Sequence, residues 1–174
     1  MKKLLIATFA IVIATAFNSA QAQFNPYADN VKMLTAGIGF SGWGVPIFAR
    51  FEAPVADNIT VGGGLSYQSY NYSSLWKANY FGINLRGSYH FNELLEINDS
   101  WDVYAGLGLN YYFSNYKYKG AGGSVDWDNG GPDGFGVGIH VGGRYFVSEK
   151  IGINLEFGGG TSLGGGTIGC TFLL

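Results

Sequence analysis

"GVGIHVGGRYFV", residues 136–147, carries two patterns at once. From Val137 every second residue is bulky and mostly apolar (Val137, Ile139, Val141, Tyr145, Val147), whereas the residues between are glycine interrupted by His140, Arg144 and Phe146. A period of two belongs to a β-strand, whose successive side chains point to opposite faces. The stretch predicts a strand with hydrocarbon on one face and glycine plus charge on the other.

The same template fits seven more segments. Their apolar sets are Leu34, Ala36, Ile38, Phe40; Ile47, Ala49, Phe51, Ala53; Ile59, Val61, Leu65, Tyr67; and Phe81, Ile83, Leu85, Tyr89, Phe91. In the second half they are Val103, Ala105, Leu107, Leu109, Tyr111, Phe113; then Ile151, Ile153, Leu155, Phe157; and Ile168, Cys170, Phe172, Leu174. Eight segments of roughly ten residues are an even number, at the length that crosses a bilayer when tilted. Tight turns at Ala56-Asp57-Asn58 and Ser148-Glu149-Lys150, with a moderate connection Asn92–Ser100, fall at one end. The longer connections, Tyr70–Lys77 and Tyr116–Gly134, fall at the other. Gly42–Gly44 and Gly160–Ser162 are short for outer loops.

Volume decides which face points outward. About five large side chains per segment exceed what the interior of an eight-stranded barrel holds. The other face carries Gly37, Gly39, Gly62, Gly64, Gly82, Gly106, Gly108, Gly136, Gly138, Gly142, Gly152 and Gly158, which suit a crowded concave side. No residue of the apolar sets is charged, while Arg50, Glu52, Arg86, Arg144 and Glu156 all fall on the glycine face. Placing Arg or Lys at mid-bilayer costs roughly 2–4 kcal/mol, so this segregation is that of a lipid-facing surface. Aromatics gather near segment ends as two girdles: Tyr67, Tyr70, Tyr72, Trp76, Tyr112, Phe113, Tyr116 and Tyr118 toward the long connections, and Phe91, Trp101, Tyr145 and Phe172 toward the tight turns.

The N-terminus agrees with this reading. Lys2-Lys3, an apolar run Leu4–Phe17 and Ala20-Gln21-Ala22 predict a secretory signal peptide over 1–22, leaving one domain over 23–174. No cysteine stands at the cut, so lipoprotein processing is not indicated. The remaining chain has eight basic residues against twelve acidic ones, which argues against a nucleic-acid partner. Its 29 glycines lack the Gly-X-Y period and interleave with branched and aromatic residues, as in ordered β-structure.

With the eight segments, the charge-free outer face and the last strand "TIGCTFLL" (167–174), the chain resembles small eight-stranded outer-membrane barrels of the OmpX, OmpA-transmembrane-domain and opacity-like type. The resemblance spans residues 23–174. It implies an all-β, eight-stranded antiparallel up-and-down transmembrane β-barrel in the outer membrane of a Gram-negative-type envelope. It also implies outer-membrane lipid and lipopolysaccharide as surroundings, and recognition of the final strand by the barrel-assembly machinery. Such strands usually close on an aromatic residue; here the aromatic is Phe172 and the last residue Leu174.

Candidate sites fall into two groups. Inside, Arg50, Glu52, Arg86, His140, Arg144 and Glu156 read as a structural polar network filling a narrow lumen, since charges shielded from water need partners. A hairpin register symmetric about Glu149 sets Asn154 opposite Arg144 and Gly142 opposite Glu156, leaving Glu156 diagonal to Arg144 and His140. About Asp57, Arg50 faces Gly64 and Glu52 faces Gly62. Outside, the loop residues Tyr72, Trp76, Tyr116, Tyr118, Asp126, Trp127 and Asp128 are the candidates for contact with a glycan or protein.

Other chemistries lack their residues. The acidic loop, with Asp126, Asp128, Asn129 and Asp133, fails the EF-type calcium pattern at Gly130 and Val137. The glycine-rich pieces "GAGGS" and "GTSLGGGTIG" have neither the helix nor the lysine of a phosphate cradle. His90 and His140, the only histidines, both point inward on the template, and no Ser/His/Asp arrangement can be argued. Cys170 reads as a small lipid-facing residue. No cofactor or metal is expected. The leading expectation is a non-enzymatic barrel with surface-exposed loops; the alternative is a narrow, porin-like conduit for small solutes.

Overall fold

A computed structural model describes residues 31–41, 44–71, 76–120, 123–127, 134–160 and 164–174, with backbone alone for 76, 116–120 and 123–127. The predicted signal peptide, Tyr72, Asp128, Asn129 and Asp133 lie outside the described residues. Among the described residues nine strands follow in order: β1 (Met33–Ser41), β2 (Ile47–Ala56), β3 (Ile59–Asn71), β4 (Trp76–His90), β5 (Trp101–Gly120), β6 (Gly123–Trp127), β7 (Gly134–Phe146), β8 (Ile151–Gly160) and β9 (Gly165–Leu173).

Eight of them close a ring of antiparallel neighbours. Each pairs with the next, β5 passes directly to β7, and β9 returns to β1 with Met33 opposite Leu173 and Ser41 opposite Gly165. Closure removes every unpaired strand edge from the ring, which is the condition for a sheet in hydrocarbon. The short β6 pairs only the far end of β5, from Tyr116 opposite Trp127 to Gly120 opposite Gly123, and so stands outside the ring.

The pleat sorts the side chains as the alternation predicts. Leu107 and Ile139 are 65% and 64% exposed and belong to a belt of outward hydrophobic residues, whereas Arg144, Glu52 and Tyr104 are fully buried in the lumen. A continuous apolar belt of this kind is stable against lipid, not against water. Both hairpins keep the expected register: Gly142 faces Glu156 and Arg144 faces Asn154 across β7 and β8; Arg50 faces Gly64 and Glu52 faces Gly62 across β2 and β3. The turn at Asp57-Asn58 places Asn58 at φ 58°, a left-handed conformation that asparagine tolerates.

Three details differ from the sequence reading. Residues Tyr116–Gly134 are not one irregular connection, because β5 continues to Gly120 and β6 folds back on it. The Tyr70–Lys77 connection shrinks to 72–75, since β3 runs to Asn71 and β4 begins at Trp76. Tyr112 belongs to the lumen and not to a girdle: it sits opposite Gly82, and a Cβ there would come within 2.8 Å of its ring.

Candidate functional site: the lumen

The lumen is layered from the tight-turn end. At its mouth, Met33, Phe146 and Leu173 form a buried apolar cluster with Val31 packed against it. These side chains share the inward parity of β1, β7 and β9, so each strand terminus supplies one piece of the seal.

A charged layer follows. Arg144 on β7 donates to Asp102 Oδ2 at 2.7 Å and to Glu52, and its guanidinium lies 4.3 Å from the centre of the Tyr104 ring. Asp102 also accepts from His90 Nδ1 at 2.8 Å, and the other ring nitrogen, Nε2, lies 2.9 Å from Thr60 Oγ1. Thr60, His90 and Asp102 are all fully buried. They form a hydroxyl–imidazole–carboxylate chain that the sequence reading did not foresee, and burial keeps that hydroxyl from any substrate in this arrangement.

The next layer centres on Glu156. Its carboxylate takes Arg50 Nη1 at 2.9 Å, Arg86 Nη2 at 2.6 Å and the Tyr104 hydroxyl at 2.9 Å. Asn154 Nδ2 donates to that same hydroxyl at 2.6 Å. Arg86 Nε lies 3.4 Å from Glu52 Oε1, joining the two layers. His140 contributes through Nε2, 2.9 Å from Ser88 Oγ. Three arginines thus meet three carboxylates drawn from β2, β4, β5, β7 and β8, a balance that burial of charge requires.

The six residues Arg50, Glu52, Arg86, His140, Arg144 and Glu156 are all placed on the lumen face, but the expected diagonal contact of Glu156 with Arg144 and His140 is not how its charge is met. Glu156 reaches across the lumen to β2 and β4, and Arg144 turns to β2 and β5. Asp102 escaped the sequence reading because it stands at the start of β5, outside the mid-strand charges. Its parity with Gly106 and Gly108 was the signal that could have found it.

Beyond Glu156 the lumen widens into a cavity of about 140 Å3 toward the end from which β5 and β6 extend. The loop candidates lie past it. Trp76, Tyr116, Tyr118, Asp126 and Trp127 are strand positions, with Trp76 opposite Tyr118, Tyr116 opposite Trp127 and Lys117 opposite Asp126. Tyr72 and Asp128 lie outside the described residues. Among the described residues no group of three metal-ligating side chains occurs.

Solved structures share this architecture. The N-terminal β-barrel domain of Pseudomonas aeruginosa OprF superposes with a TM-score of 0.55 at 16% identity, covering 83% of this chain and 98% of that one. Neisserial surface protein A gives 0.50 at 10% identity, over 83% and 94% of the two chains. The Yersinia pestis outer membrane protein Ail, in a phospholipid bilayer nanodisc, gives 0.51 at 10% identity, over 83% and 99%. The likeness is one of fold. No family model matches the sequence, and no curated protein is significantly similar to it.

Proposed function

We propose that this chain, which has the fold of the small outer-membrane barrels, is a non-enzymatic and non-conducting outer-membrane protein that carries the β5–β6 extension and the 72–75 connection at the cell surface. Lipopolysaccharide surrounds the belt in this reading, and the barrel-assembly machinery inserts the chain through β9. Tyr72, Trp76, Tyr116, Tyr118, Asp126, Trp127 and Asp128 would then meet a glycan or a protein. The observation that carries the reading is the doubly closed lumen: an apolar cluster at Met33, Phe146 and Leu173, backed by buried ion pairs. A scaffold closed in this way leaves its variable chemistry to the loops.

The competing reading, a conduit for small solutes, draws on the wide outer half of the lumen. It must pass Arg144 and Tyr104, which are buried and mutually stacked. Planar-bilayer recording of the refolded chain separates the two. The expected record is silent; steady open events would establish the conduit and remove the anchor reading.

A further inference from the structure

The two halves of the lumen are built differently. Toward the tight turns it is packed; toward the loops it holds the cavity of about 140 Å3. Part of the cavity wall is Gly108, Gly138 and Gly158, which contribute no side chain. Four of the other lining residues each carry a buried polar atom that no protein group pairs: Arg50 Nε, Gln68 Nε2, Asn84 Oδ1 and Thr167 Oγ1. Gln68 is only 3% exposed. Buried donors and acceptors are almost always satisfied, so four among the residues around one cavity mark where partners are missing.

We propose that this half-lumen binds one neutral polyhydroxylated ring, a pyranose offered either as a free sugar or as the end residue of a glycan. Amide nitrogen and guanidinium donate, the Asn84 oxygen accepts, and the Thr167 hydroxyl does both; sugar hydroxyls can answer each of them. The charge balance selects a neutral ligand. Arg50 and Arg86 are already held by Glu156, so a phosphate or carboxylate would have to compete with an ion pair at 2.6 Å. Phe48 and Tyr112 add aromatic surface for the apolar face of a ring. At a water's share of roughly 30 Å3, the cavity has room for about five waters, the scale of one six-membered ring. The glycine wall is what makes that room. Because the site lies within the barrel, it stands independently of any contact made by the loops.

The test uses the refolded full chain in amine-oxide micelles, because glycoside detergents would themselves supply a competing sugar. D-glucose, D-galactose, D-mannose and maltotriose are titrated while the side-chain amide resonances of Gln68 and Asn84 are followed. Saturable shifts with a monosaccharide identify a free sugar, and saturation with maltotriose alone identifies a glycan end; either supports the site. Gln68→Met and Thr167→Val, near-isosteric changes that each delete a hydrogen-bonding group, are expected to weaken binding several-fold to about tenfold. Both should keep the heat-modifiable gel mobility of the folded barrel. The proposal is overturned by the absence of saturable shifts with all four sugars, by saturation with sodium phosphate alone, or by affinities unchanged in both variants.

Discussion

Neutralising Glu156 would leave Arg50 and Arg86 in the lumen without the carboxylate that both of them grip. Removing one partner of a buried ion pair costs about 3–5 kcal/mol, because the charge left behind is not resolvated. Glu156→Gln is therefore expected to lower the temperature at which the folded form is lost on unboiled gels, and an unchanged transition would refute the buried pairing. Glycine positions make a second residue-scale prediction. A Cβ on Gly106 would stand 2.0 Å from the Gly87 carbonyl oxygen and 2.6 Å from His140 Nε2, whereas one on Gly159 would meet nothing within 4 Å. Gly106→Ala should reduce refolding yield sharply while Gly159→Ala leaves it near wild type; equal yields would show that the strand wall yields easily. At this scale the sequence revealed that the mid-strand charges face inward, since parity alone decides that. It did not reveal which carboxylate meets which guanidinium, because Glu156 finds its partners across the lumen, and cross-lumen proximity depends on how the strands stagger when the ring closes.

The strand β7 shows why elements were legible. Its two faces meet two solvents, so a one-residue slip would send His140 and Arg144 into lipid. The register opposite β8 follows from that constraint together with the Ser148–Lys150 turn. A charge introduced on the outer face tests the same logic: Ile139→Arg puts a guanidinium on the mid-strand belt, at a cost of roughly 2–4 kcal/mol if that belt lies in hydrocarbon. Refolding into phospholipid vesicles should fall markedly for Ile139→Arg and stay unchanged for Ile139→Leu. Equal folding of the arginine variant would place Ile139 in water. The far end of β5 was not legible for a related reason. Asn115 follows Phe113 at the same parity, and a template that demands apolar residues on that face stops there. The strand itself continues, because past the belt nothing in the ladder with β4 and β6 requires hydrocarbon.

For the molecule as a whole, closure and sealing are separate properties with separate tests. Ring closure through β1 and β9 was foreseeable from an even strand count and the lipid-facing last strand. The double seal was only half foreseeable, since Phe146 looked like an interruption of a glycine face and Met33 was not singled out. The geometry gives the two layers distinct means of excluding ions: Met33, Phe146 and Leu173 form a buried apolar cluster, and Arg144 with Glu52 and Asp102 fills the section above it. Hydrophobic constrictions and fixed charges are independent barriers to permeation. Phe146→Ala alone should therefore remain silent in planar bilayers, because the charged layer persists. Arg144→Ala alone should also remain silent, because the apolar mouth persists. The double variant, confirmed as folded by its gel mobility, is expected to show brief open events. Conductance in either single variant would mean that one layer carries the whole barrier, and silence of the folded double variant would mean that Tyr104 and the Glu156 cluster close the lumen without either.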